Sequence, residues 1–214
     1  MTDIISFYTN PLSRGRIVHW MLEEAGAPYH VELLDFETGE HKRPEYLALN
    51  PMGKVPAIVH CGVVVTEAAA ICAYLADAFP RAKLAPLPSE PARGTYFRWL
   101  FFAASCVEQA GTDKQSPRAA EVRTSALGYG SYDDVMNNIE NAVTPGPYLL
   151  GDRFSAADVY FGSQLGWGLT IKSIEPRPAF TEYLNRLWKR PAHARFTEQT
   201  KQLDADLKKR HAEL

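Results

Sequence analysis

The residues best placed to do chemistry lie in Asn50-Pro51-Met52-Gly53-Lys54-Val55-Pro56 and, ten residues on, in Thr66-Glu67-Ala68-Ala69-Ala70-Ile71. Pro51 and Pro56 lack a backbone N–H, and each drives the residue before it toward extended geometry. Val55 is therefore expected to stand extended at the mouth of a strand, its N–H and C=O free to pair with an extended peptide laid alongside. That is the chemistry of a peptide-like ligand. Thr66 stands where a strand pattern gives way to a helical one, which makes it a natural N-cap, with Glu67 in the first turn. A helix start offers unpaired N–H groups and a partial positive charge suited to a carboxylate, and Glu67 could hold an ammonium beside it. Taken alone, Thr66 and Glu67 read as an ordinary helix start. Behind the Val55-Pro56 signal, binding of an α-amino acid head is the better reading.

The elements that must position these groups follow from pattern. Ala57-Ile58-Val59-His60 reads as a strand, Cys61-Gly62 as a tight turn and Val63-Val64-Val65 as the hairpin partner. A cis bond at Val55-Pro56 fits, because X-Pro bonds lose most of the trans preference. Ile71, Tyr74, Leu75 and Ala78 recur at helical spacing after the hairpin. Upstream, Ile4 to Tyr8 reads as a first strand, Thr9 to Leu12 as a loop broken by Pro11, and Ile17, Trp20, Met21 and Ala25 as one helical face stopped by Gly26. Tyr29 to Leu34 is a second strand, so the opening unit is a parallel pair with a right-handed crossover. A short helix around Tyr46, Leu47 and Leu49 completes a βαβ-α-ββα order by about residue 79.

The pattern Asn-Pro-x-Gly-Lys-Val-Pro, an extended pair, then Glu at a helix start followed by Ala and Ile, resembles the glutathione-binding half of the soluble glutathione transferases, of a serine-type, bacterial-like kind. In that family the residue before the cis-proline pairs with the cysteinyl backbone of glutathione, and an acidic-Ser pair at the next helix holds the γ-glutamyl end. The resemblance carries these roles to Val55 and Glu67. Ala68 stands where the family usually has Ser, so only its backbone N–H can serve the carboxylate. Lys54 and His41 are expected to meet the glycyl carboxylate, and the βαβ-α-ββα order is then a thioredoxin-like domain.

Such an enzyme must turn a substrate thiol, with an ordinary pKa of roughly 8.5, into a thiolate near neutral pH. A hydroxyl donating to sulfur beside helix N-terminal amides would favour the anion. Ser13, at the expected start of the first helix, stands where serine or cysteine sits in the serine- and cysteine-type classes. Ser13 as a plain helix cap, bonding the N–H of residue 15 or 16, is the competing role. Tyr8 is the rival donor, although it lies too far from Arg14-Gly15-Arg16 to match the tyrosine classes' spacing well. Arg14 and Arg16 oppose the helix dipole, so a carboxylate partner is expected for at least one.

The segment Pro80 to Pro91 carries four prolines and reads as a linker. Everything after it reads as helix. Residues 93–109 carry Tyr96, Phe97, Trp99, Phe101 and Phe102 around most of the circumference. Gly111 to Gly130 is polar and poorly periodic, and no element is assigned to it. Val135, Ile139 and Val143 mark a further helix ended by Pro145. Ser155-Ala156-Ala157-Asp158 is a capping-box start with Phe154 set to staple against Val159, and it resembles the folding motif of the family's second domain. Phe180, Tyr183, Leu184, Leu187 and Trp188 line a later helix, and Lys201 to Leu214 reads as a solvated one.

A net charge of −2 from 23 basic and 25 acidic residues gives no reason to expect nucleic acid or a membrane surface. Nothing in the opening Met1 to Ile5 resembles a leader and no apolar run approaches a membrane span, so a cytoplasmic protein is expected. Cys61, Cys72 and Cys106 are widely spaced small core residues on this reading, and the six histidines form no metal-ligand spacing. The expectation is an α/β thioredoxin-like N-terminal domain over 1–82, a linker over 83–92 and an all-α helical domain over 93–214. It would be a homodimeric glutathione transferase without a metal, presenting the thiolate to a small hydrophobic electrophile in a pocket between the domains, bounded by Leu12, Phe101 and Phe102, with Trp167 possible. A glutathione-dependent isomerase or dehalogenase, or a non-catalytic glutathione-binding protein of the same fold, is the alternative.

Overall fold

Burial alternates along Ile5–Thr9, with Ile5, Phe7 and Thr9 inward, and this stretch forms β1 of the computed structural model. The structure describes residues 4–118 and 122–213, so Met1 to Asp3, part of the 111–130 section and Leu214 lie outside the described residues. The chain divides into two compact units, one of residues 1–82 with 190–214 and a second of residues 83–189.

In the first unit, α1 (Gly15–Ala25) buries Ile17, Trp20, Met21 and Ala25 and ends at Gly26 with φ 61°, as the sequence predicts. β2 (Tyr29–Leu33) pairs parallel with β1, and β3 (Ala57–His60) and β4 (Val63–Thr66) complete a sheet of order β2-β1-β3-β4. β1 runs antiparallel to β3, and β3 to β4. The hairpin turns at Cys61 and Gly62, both at positive φ (52° and 75°). A one-turn 3-10 helix over Glu40–Lys42 precedes α2 (Pro44–Leu47), and α3 (Ala68–Ala78) follows the hairpin. This is the expected thioredoxin-like α/β arrangement.

Thr66, expected as an N-cap, is instead the last residue of β4, and Glu67 occupies the cap position without a side-chain cap bond. Cys72 is buried as expected, but Cys61 is exposed in the hairpin turn and Cys106 is half-buried. The terminal helix α9 (Pro191–Ala212) is largely exposed from Lys201 on, as expected, apart from the buried Leu207, but its opening turns pack into the first unit. Ala192, Phe196, Thr200 and Leu207 are buried, and Phe196 stacks on Trp20 of α1 with centroids 6.4 Å apart. His19 of α1 meets the Thr200 hydroxyl at 3.1 Å, and Arg190 grips Glu24 with two bonds of 2.7 and 2.8 Å. The second unit therefore stops short of the expected 93–214 domain, at residue 189, and α9 belongs with the sheet.

In the second unit, the proline-rich stretch is tied down from Leu84 onward. Leu84 O accepts from Ala156 N–H at 2.7 Å, and Arg153 donates to Ala85 O and Glu90. α4 (Ala92–Phe102) widens into a π turn over Ala103–Val107 and continues as α5 (Glu108–Gln115), which enters the section to which no element was assigned. α6 (Tyr132–Val143) buries Val135, Ile139 and Val143, and α8 (Pro178–Trp188) buries Phe180, Tyr183, Leu184 and Leu187, leaving Trp188 half-exposed. α7 (Ala156–Thr170) opens with the expected capping box: Asp158 accepts from Ser155 N–H and Oγ, from Leu149 N–H and from Tyr183 Oη, all at 2.9–3.0 Å. Phe154 packs edge-on against Tyr148.

Candidate functional site

The sheet register brings the predicted residues to one end of the first unit. Tyr8 pairs with Ala57, and Ala57 with Thr66. The loop leaving β1, the Val55-Pro56 step entering β3 and the Glu67 step leaving β4 therefore emerge at the same edge. β2, parallel to β1, delivers Leu34 and the loop bearing His41 to that edge as well.

Two of these loops are built alike, from Asn-Pro turns. Asn10 Oδ1 accepts from Leu12 N–H at 2.9 Å, and Asn50 Oδ1 from Met52 N–H at 3.1 Å. Their carbonyls accept from Ser13 N–H (3.1 Å) and Gly53 N–H (2.8 Å). Their amides donate to Leu34 O and Lys54 O, both at 2.8 Å. Both asparagines are buried, so their side chains act as internal struts that replace missing backbone partners. Asn50 heads the motif read from the sequence but was given no role there, and Asn10 was not singled out, although Asn-Pro is itself a turn signal.

Ser13 projects from the first turn. Its hydroxyl donates to Asn10 O at 2.7 Å and accepts from Gly15 N–H at 2.9 Å, the cap-like bond expected of it. Gly15 is required here by close approach, because a Cβ would collide with Thr9 Oγ1. Leu12 beside it is 68% exposed. Arg16 lies over the Phe196 ring at 5.6 Å, and Asp204 supplies its favourable charge.

The second turn leads to Val55. Lys54 O is held by Asn50 and by Tyr46 Oη at 2.5 Å, and the Val55-Pro56 bond is cis. Among the described residues no group takes the Val55 N–H or C=O. Gly53 has φ 59°, and a Cβ there would meet Lys42 Nζ at 2.6 Å and His41 O at 2.8 Å, so the His41 turn packs directly on this loop. Lys42 Nζ also donates to Met52 O at 3.0 Å. His41 sets its ring edge-on to Phe36, and its Nδ1 is enclosed without a partner among the described residues.

Glu67 is exposed, with φ 64° and ψ 115°, a conformation that ordinary side chains rarely adopt. Ala68 is buried and opens α3, where Ile71 N–H is the first to find a helical acceptor, on Glu67 O. The N–H groups of Ala68 to Ala70 are thus available. Burial pushes the Tyr46 phenol up to about 12, and burial with the nearby Glu32 raises Tyr8, whose ring lies 5.5 Å from that of Tyr46. Both phenols keep their protons at neutral pH, and Tyr46 uses its own on Lys54 O.

In the second unit, Phe101 is 62% exposed and stacks on Phe97, Phe102 meets Trp99 edge-on, and Trp167 is half-exposed. No group of three or more His, Cys, Asp or Glu able to hold a metal occurs among the described residues, and none of the described helices is long and apolar enough to cross a membrane.

Known proteins share this arrangement. The profile described as the glutathione S-transferase N-terminal domain matches residues 5–77. A glutathione S-transferase-like protein of Aspergillus terreus, gedE, is 32% identical over 171 residues, covering 72% of this chain and 73% of that protein. The Escherichia coli glutathione S-transferase GstA is 28% identical over 181 residues, 81% of this chain and 87% of that protein. A glutathione transferase structure from Methylococcus capsulatus covers 93% of this chain and 100% of its own at 29% identity, with a TM-score of 0.78. One from Phanerochaete chrysosporium, solved with oxidized glutathione, gives a TM-score of 0.76 at 27% identity over 93% of this chain and 97% of its own. Sequence and fold agree, and the chain belongs to the glutathione S-transferase family.

Proposed function

We propose that this protein is a cytoplasmic, homodimeric glutathione transferase that binds reduced glutathione at the sheet edge described above and presents its thiolate to a small hydrophobic electrophile. The observation that carries the reading is the unpaired main chain of Val55, beside the open first turn of α3. Val55 N–H and C=O pair with the cysteinyl backbone of the tripeptide. The Ala68 N–H receives the γ-glutamyl carboxylate, Glu67 the ammonium, and Lys54 and His41 the glycyl carboxylate. The complex with oxidized glutathione reported for the Phanerochaete relative supports the ligand class.

The thiol is to be ionised by Ser13, which donates to sulfur after its hydroxyl rotates away from Asn10 O. Leu12, exposed beside Ser13, is the proposed first-unit contact for the electrophile. A standard aromatic-halide conjugation assay, run with Ser13→Ala and Tyr8→Phe, tests the scheme. Loss of turnover in Ser13→Ala alone supports it, and loss in Tyr8→Phe alone removes Ser13 from the mechanism.

A non-catalytic glutathione-binding protein is the second reading, favoured by two observations. Ser13 already spends its proton on Asn10 O, and Ala68 offers no hydroxyl. Retention on immobilised glutathione without conjugation of any halide or epoxide tested would select it.

A further inference from the structure

The last turn of α9 arrives beside the loop that carries His41. His211 Nε2 lies 2.8 Å from Asp35 Oδ2, and its Nδ1 lies 3.5 Å from Glu37 Oε2. Arg210, its neighbour, donates to Leu33 O at 3.4 Å and stands 3.9 Å from Glu40 Oε2. The acids so gripped are the ones that shape the loop. Asp35 is buried, and its Oδ1 accepts from Glu37 N–H at 2.8 Å. Glu40 Oε2 accepts from Asp35 N–H at 2.8 Å, and Glu40 N–H donates back to Asp35 O at 2.9 Å. One residue on from Glu40, His41 and Lys42 pack on Gly53, two residues before Val55.

Helix α9 spans 22 residues, about 33 Å, and is held at its start by the Arg190–Glu24 pair. Its far end is therefore delivered to a fixed place. Both ring nitrogens of His211 face carboxylates, so one ring ties Asp35 and Glu37 together at the end of α9. Burial alone would raise the Asp35 carboxyl, but the Glu37 N–H and the His211 ring outweigh it and hold the group below its ordinary range.

We infer that Arg210 and His211 are positioning residues for the glutathione site: they clamp the loop of residues 34–42 in the form that presents His41 and backs the Gly53–Val55 turn. The inference rests on the proposed glutathione reading. The two residues touch neither ligand nor sulfur. They act by keeping the loop in its binding-competent form, and when that form falls to about a tenth of the population the apparent Kd rises about tenfold.

The test uses the full chain with His211→Ala, His211→Gln and Arg210→Ala, reading amide hydrogen exchange over residues 34–42 and calorimetric titration with reduced glutathione. Faster exchange confined to that loop, an apparent Kd raised about tenfold in His211→Ala, and partial recovery in His211→Gln are expected. Unchanged exchange, or faster exchange with an unchanged Kd, overturns the clamp. A general loss of protection across α1 and the sheet also overturns it, because the residues would then be supporting the whole unit. If the wild type itself takes no glutathione, the functional reading fails and the inference fails with it, and the silent wild-type titration makes that case distinguishable.

Discussion

Replacing Ser13 by alanine should raise the pKa of bound glutathione, but by a modest amount that the local geometry sets. A hydrogen bond to a charged group contributes about 1.5–3 kcal/mol. Ser13 does not start free, however: its proton sits on Asn10 O at 2.7 Å, a neutral bond that contributes about 0.5–1.5 kcal/mol and must be broken first. The difference is about 1 kcal/mol, and at 1.36 kcal/mol per pKa unit this lowers the thiol pKa by roughly 0.7. Below the thiol's titration the thiolate fraction, and with it kcat/KM, should fall about fivefold in Ser13→Ala. The gap should close as pH rises past about 8.5, where even an unassisted thiol ionises. The ultraviolet absorbance of the enzyme-bound thiolate, followed against pH in both proteins, gives the two pKa values directly. The variant should also lose about 1 kcal/mol of folding stability, because Gly15 N–H loses its acceptor. Equal thiol pKa values, with only the stability change observed, would leave Ser13 as a helix cap and nothing more.

Glu67 sits at φ 64°, and such strain costs on the order of 1–3 kcal/mol, so Glu67→Gly should stabilise the fold by about 1 kcal/mol in urea melts while raising the glutathione KM about tenfold. A variant that is both less stable and unchanged in KM would contradict the assignment. Ala68→Ser should restore a hydroxyl beside the γ-glutamyl carboxylate and tighten glutathione by about three- to tenfold in calorimetric titration, and no change would place that carboxylate elsewhere. Asp158→Ala removes a fully buried acceptor of four hydrogen bonds and should cost about 3–5 kcal/mol of unfolding free energy; a loss below about 1 kcal/mol would refute the capping box as a structural keystone. Burial against Trp20 and Phe196 depresses His193 to about 4, so the folded state refuses a proton that the unfolded chain takes near 6.5. Stability linked to this group is present above pH 6.5 and lost as pH falls toward 4, on the order of 2 kcal/mol, and His193→Gln should lack that slope in denaturant titrations at pH 4 to 7.

Much of the first unit was legible because its signals are local. Gly26 stops α1 and Cys61-Gly62 turns the hairpin, and in the second unit Ser155 with Asp158 opens α7, each within one turn of chain. The placing of Val55, Glu67 and Ala68 at the edges of β3 and α3 was legible for the same reason, since prolines and a change of period mark both edges. What failed depended on distant partners. The packing of α9's opening turns was not legible because its buried positions Ala192, Phe196 and Thr200 are diluted among charges, and several charges there serve distant partners, Arg190 on Glu24 and Arg195 on Glu23. Thr66 has the chemistry of a cap, but its pairing with Ala57 extends β4 through it and moves the cap and helix start on by one residue. Cys61 sits where apolar neighbours suggested core, yet a tight turn must face outward. The twin struts Asn10 and Asn50 carry a signal the sequence does contain, an Asn before Pro in each loop.

The central claim is that the main chain at Val55 and the mouth of α3 hold glutathione. Titrating reduced glutathione into isotope-labelled protein while following backbone amide resonances tests it most directly. The account predicts saturable shifts at the amides of Val55 and Ala68, with the amides of Ala156 to Asp158 unmoved. No saturable binding, or binding that leaves Val55 and Ala68 undisturbed, would contradict it.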